Sequence, residues 1–147
     1  MNRLTAKISL AVLYMCTPLP GPAAEEVELN ISDPWVRAVP GGAKATAGYA
    51  TIENTAIRAN ALVSVEADFP RVMIHNVKRE DGVATMFHVP EVAIEAGGIT
   101  KLKPGGLHIM FMGLDGTGIS AGETIEAILV FRNGEEIPVR FPVRATQ

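Results

Sequence analysis

Histidine and methionine are concentrated in one stretch of this chain. All three histidines, and every methionine beyond residue 15, fall within residues 73–112 of the 147. Met73-Ile74-His75 opens the stretch; ten residues separate His75 from Met86, twenty-one separate Met86 from His108, and Met110 and Met112 follow closely. Imidazole suits several transition metals, whereas thioether sulfur is soft and selects Cu(I) among the common biological ions. Two His and two Met converging on one point would form a copper site suited to Cu(I), and His75, Met86, His108 and Met110 are its candidate ligands.

Positioning these side chains falls to strands. Residues two apart on a strand share a face, so His108 and Met110, and with them Met112, would project together, with neighbours about 6–7 Å apart along the backbone. A strand over 71–78 delivers His75, the turn Glu80-Asp81-Gly82 follows, and a strand over 83–89 carries Met86 and His88. His75 and Met86 can then meet at one end of the fold. Methionine is also an adaptable core filler, and a lone histidine is more often a surface or hydrogen-bonded group than a ligand. Met73 is therefore read as packing, since it shares a strand face with His75 but could equally pack beneath it; Met112 stands between core residue and guard of the site, and His88 reads as a solvent-exposed imidazole that could also serve as an extra ligand. Core packing does not explain why histidine accompanies methionine in this stretch and is absent elsewhere.

The rest of the chain reads as short strands between Gly and Pro turns. Alternating residues over 25–33 lead to a turn at Asp33-Pro34, and strands follow over 35–39, 45–53 and 61–67. Beyond 71–78 and 83–89, strands are expected over 99–102, 107–114, 123–132 and 136–143. Asn133-Gly134 reads as a two-residue hairpin turn; Pro138 and Pro142 suit an edge strand. No stretch holds a helical period, and no internal repeat occurs. Short strands at this spacing indicate one all-β domain, an antiparallel β-sandwich.

Residues 1–23 read as a signal peptide. Arg3 and Lys7 precede an apolar run over 8–15 that is too short to span a bilayer, and Pro18, Pro20 and Pro22 lead to cleavage after Ala23 or Ala24. The domain is then 24–147. The single cysteine, Cys16, lies in the leader, preceded by Met15 where a lipidation signal carries a small residue, so it reads as unlipidated. A thiol-free mature chain excludes disulfides, Cys nucleophiles and blue-copper centres, which need a Cys ligand. It retains 11 basic against 16 acidic side chains, a formal charge of −5, and no basic patch that would suit nucleic acid. Ser32, Ser64 and Ser120 lack a nucleophile elbow, and the glycine-rich turns lie between strands, not at helix starts that cradle phosphate. The expectation is an exported, non-catalytic protein.

The spacing His75, ten residues, Met86, twenty-one residues, His108-Ile109-Met110 resembles that of the periplasmic copper chaperones associated with assembling the CuA centre of cytochrome c oxidase. The flanks Asp33-Pro34-Trp35-Val36-Arg37-Ala38, Tyr49-Ala50-Thr51-Ile52-Glu53-Asn54 and residues 102–114 are similar too, so the resemblance spans roughly residues 28–143. Asn76 follows the first histidine where some members carry Met, and His88 stands where Pro is usual. The resemblance implies a cupredoxin-like Greek-key sandwich, an exposed Cu(I) site and delivery of copper to a CuA-containing oxidase subunit in the periplasm. The alternatives are a periplasmic copper-sequestering or resistance protein with no dedicated acceptor, and a structural β-domain without metal.

Overall fold

The computed structural model describes residues 28–145, and the expected leader lies outside them. Among the described residues there are ten strands and no helix: β1 (Leu29–Arg37), β2 (Ala45–Asn54), β3 (Asn60–Ala67), β4 (Arg71–Glu80), β5 (Val83–His88), β6 (Val92–Ile94), β7 (Ile99–Leu102), β8 (His108–Met112), β9 (Thr124–Phe131) and β10 (Glu136–Arg144). They build the expected all-β, cupredoxin-like sandwich. One layer runs β5-β4-β8-β2-β1, with β7 beside β2; the other runs β10-β9-β3-β6. Every ladder is antiparallel except β1–β10, where Val36 and Arg37 pair with Val143 and Arg144 in parallel and join the layers.

Alternation fills the core between them. Ile125, Ala127, Leu129 and Phe131 point inward from β9, as their period of two dictates. On β8, Ile109 and Phe111 are fully buried, and the Phe111 ring meets Phe69 at 5.1 Å and Phe141 at 6.3 Å between centroids. Gly48 of β2 makes this packing possible, because a Cβ there would lie 2.7 Å from the Phe111 ring and 3.2 Å from Val36. β8 thus pairs beside β2 with the Phe111 ring over residue 48, and a side chain there would have to displace that ring.

Three local expectations are corrected, and one strand is added. Asp33-Pro34 does not end a strand: β1 runs through it as a bulge, with Asp33 at φ 46° and the register shifting between Ser32 and Trp35. Asn133-Gly134 is not a two-residue hairpin, which needs positive φ at both positions. Only Gly134 is left-handed (φ 88°); Phe131 N–H donates to the Glu135 carbonyl, and the Asn133 side chain accepts from Glu135 N–H, fixing a three-residue loop. β10 is not at the edge of the strand order, yet its prolines fit. Val143 N–H donates to Glu123 of the β9 side, so by alternation Pro138 and Pro142 face away from β9, where no donor is needed. β6, of three residues, was too short to read from the sequence.

Candidate metal centre

β4 and β8 set the site by register. Ile74 pairs with Ile109 facing the core, so their neighbours face outward: His75 opposite His108, and Met73 opposite Met110. On the other side of β4, His88 of β5 stands opposite His75, and Met86 stands opposite Val77. One outer face thus carries a row of imidazoles, His88–His75–His108, flanked by Met73 and Met110 on one side and by Met86 on the other. The turn Asp81-Gly82, with φ of 50° and 79°, has the two left-handed residues of a tight hairpin and fixes the β4–β5 register.

The imidazoles are close enough to share an ion in pairs. The His75 ring lies 6.0 Å from that of His108, at 67° between planes, and 6.0 Å from that of His88, at 84°. Nitrogen ligands sit about 2.0–2.1 Å from a bound metal, which places the ring centres of two ligating imidazoles roughly 5–6 Å apart. His108 is buried although it faces outward. Its Nδ1 lies 2.8 Å from the Gly106 carbonyl, so Nδ1–H donates there and the Nε2 lone pair is left for a metal, the arrangement common to metal-binding histidines. That carbonyl comes from the Lys103-Pro104-Gly105-Gly106 turn, closed by Gly106 N–H donating to Lys103 and tight enough to need Gly105 at φ 78°.

His75 is the least satisfied of the three. Its Nδ1 is buried and has no hydrogen-bond partner, a condition that a buried nitrogen in a native fold calls on a ligand, ion or water to relieve. Burial lowers its pKa below the usual imidazole value, and the neighbouring His108 and His88 lower it further, so the ring favours its neutral, ligating form. Among the described residues no three His, Cys, Asp or Glu side chains could hold an ion by themselves. The side-chain donors that stand beside His75 and His108 on this face are the thioethers of Met73 and Met110, and a set of imidazole and thioether donors fits Cu(I).

The structure treats the four sequence-derived ligands unequally. It brings His75, His108 and Met110 onto adjacent strands, while Met86 stands on the outermost strand, half exposed and one step beyond the His75–His88 pair. Met73 shares the outer face of His75, as its spacing of two implies, and stands directly opposite Met110. His88 is exposed as expected, yet aligned with His75. Met112, half-buried, stands opposite Arg71. The Gly106 carbonyl had no sequence signature, because backbone acceptors carry none. Beyond β8, Trp35 stacks on Tyr49 at 4.5 Å, with the Arg144 guanidinium 5.9 Å from the indole; Trp35 packs at the rim of this layer.

A cupredoxin-like sandwich with histidine and methionine side by side on one outer face defines a class of metal-binding β-domains. Comparison with known proteins is more specific. The family model described as "Putative lipoprotein LpqE-like" matches residues 29–143, and the chain belongs to this family. A protein of Leifsonia xyli subsp. xyli named "Putative lipoprotein Lxx21020" is 32% identical over 127 residues, 85% of this chain and 74% of that protein. Among solved structures, the Cu(I) form of DR1885 from Deinococcus radiodurans is 28% identical with a TM-score of 0.61, covering 84% of this chain and 80% of that one. The copper-bound PCuAC domain from PmoF2 has a TM-score of 0.67 at 24% identity, covering 81% of this chain and 94% of that domain, and shares the fold.

Proposed function

We propose that this protein is an exported copper carrier that binds one Cu(I) through His75, Met86, His108 and Met110 and passes it to a CuA-type site of cytochrome c oxidase. The observation that carries the reading is the β4–β8 register, which stands His75 against His108 and Met110 beside them on one outer face. The Cu(I) and copper-bound structures of similar fold support it. Met86 reaches the ion from the β5 side, where its side chain is free to turn. Met73 stands opposite Met110 as a spare thioether.

Neutral donors favour a carrier over a catalyst or a permanent store. Imidazole and thioether add no negative charge, so the bound ion keeps its full positive charge and stays exchangeable toward thiolates. No helix among the described residues is long and apolar enough to cross a membrane. Residues 1–23 act as the export signal in this reading, and the domain that folds is 24–147, in the periplasm. The relative's name speaks of a lipoprotein, whereas Met15 before Cys16 argues for cleavage at Ala23 or Ala24; mass spectrometry of the mature N-terminus distinguishes the two.

The test is Cu(I) titration against a chromogenic chelator, combined with X-ray absorption. One Cu(I) per chain with two nitrogen and two sulfur neighbours is expected. Weak binding with no sulfur neighbours would overturn the assignment. Oxidase activity after gene deletion, with and without added copper, separates delivery from sequestration: a defect that copper rescues supports delivery, and intact oxidase with copper-sensitive growth supports sequestration.

A further inference from the structure

His88 has no part in the Cu(I) ligand set, yet the structure places it as carefully as His108. It stands in register with His75 across the β4–β5 ladder, and its ring lies 6.0 Å from that of His75, the same separation as His75–His108. Its Nδ1 lies 3.2 Å from the Ile74 carbonyl, so Nδ1–H donates to the backbone and Nε2 presents its lone pair. His75 therefore has an imidazole on each side. The two sides differ in what else they offer. Toward β8 lies the half-buried thioether of Met110, with Met73 of β4 opposite it; toward β5 every residue is exposed, so water reaches the ion.

The two oxidation states of copper want these two environments. Cu(I) takes soft sulfur readily, whereas Cu(II) is held by nitrogen and oxygen in tetragonal geometry. We propose that His75 and His88 form a Cu(II) site on the β5 side, completed by water, which shares His75 with the Cu(I) site. His108 stands two strands from His88, so the three rings lie in a row and do not enclose one point, in keeping with the lack of a three-residue cluster. A pair sharing His75 needs no such convergence. Because His75 serves both, the chain holds one copper at a time, in either state. This inference rests on the Cu(I) reading for the inner set, but the Cu(II) pair can be tested independently.

The experiment is anaerobic titration of the mature protein with Cu(II), read by electron paramagnetic resonance, beside Cu(I) competition with a chelator. Wild type is expected to bind one Cu(II) with hyperfine structure from two imidazole nitrogens. His88→Ala should weaken Cu(II) at least about tenfold and remove one nitrogen, while its Cu(I) affinity moves less than about threefold. Preloading with one Cu(I) should block the Cu(II) signal. His88 is exposed, so the variant should fold, and a matching thermal melt checks this. The proposal is overturned if His88→Ala leaves the Cu(II) affinity and spectrum unchanged, or if Cu(II) binds beside a resident Cu(I). Normal Cu(II) behaviour with no Cu(I) binding would instead sink the carrier reading and leave this pair standing.

Discussion

His75 and His108 face one another across the β4–β8 ladder with ring centroids 6.0 Å apart, and the two residues differ in how their Nδ1 atoms are satisfied. His108 is held by the Gly106 carbonyl, whereas His75 has no protein partner for a buried nitrogen. One ring is fixed and its neighbour is poised. A metal ion joining them would complete the one that is unsatisfied.

The thioethers should separate by role. Met→Leu keeps volume and apolarity, so each substitution should cost less than about 1.5 kcal/mol of stability. Met86→Leu and Met110→Leu should each weaken Cu(I) by at least roughly tenfold, about 1.4 kcal/mol of binding, while Met73→Leu changes it little. Chelator competition reads all three. A loss confined to Met73→Leu and Met110→Leu would move the second sulfur from Met86 to its spare.

Acid should act through His75. Its pKa lies below the usual 6.5, for which burial is the first cause. Between that lowered value and 6.5 the unfolded chain binds the proton and the folded chain does not, so the stability of the metal-free protein rises with pH across this window and falls on acidification. NMR titration of the ring should give a midpoint below the ordinary imidazole value. Cu(I) affinity should fall as pH drops below about 6, because a ligating imidazole must be neutral. Affinity independent of pH down to about 5 would mean that no histidine is a ligand.

Gly48→Ala tests the seat of β8. The added Cβ would meet the Phe111 ring at 2.7 Å, and overpacking of this kind costs about 1–3 kcal/mol. The melting temperature should drop by several degrees, and Cu(I) affinity should fall with it, because Ile109 pairs with Gly48 and carries His108 and Met110 on either side. An unchanged melt would show that Phe111 can move aside freely.

Copper should run downhill to thiolates. The described residues hold no cysteine, and a thiolate adds both charge and softness to its hold on Cu(I). Cu(I)-loaded protein mixed with a reduced, metal-free CuA domain should therefore lose its copper without added chelator. Retention by the carrier while the acceptor thiols are demonstrably free would favour sequestration.

Much of the fold was legible because alternation is local. The stripe of Ile125, Ala127, Leu129 and Phe131 announced β9, and the His/Met spacing pointed to the outer face on which His75, His108 and Met110 stand together. Register was not legible, because nothing in a single strand says which residue stands across the ladder. Met73 therefore read as packing until β8 placed Met110 opposite it, and the alignment of His88 with His75 depended on a two-residue turn. Asp33-Pro34 misled for a related reason: a turn signal in sequence also serves as a bulge when both flanks pair with the same neighbour, and here both pair with β2.

β5 is held by β4 alone, and all of its residues are exposed. Few buried contacts resist its opening, so this strand can peel from the layer while the core stays packed. Met86 and His88 would leave with it, and His108 and Met110 would stay behind. If Met86 holds the ion as proposed, the ion's lifetime would follow the fraying of this one strand and not the melting of the domain. A protein built this way can be thermally robust and still quick to surrender its cargo.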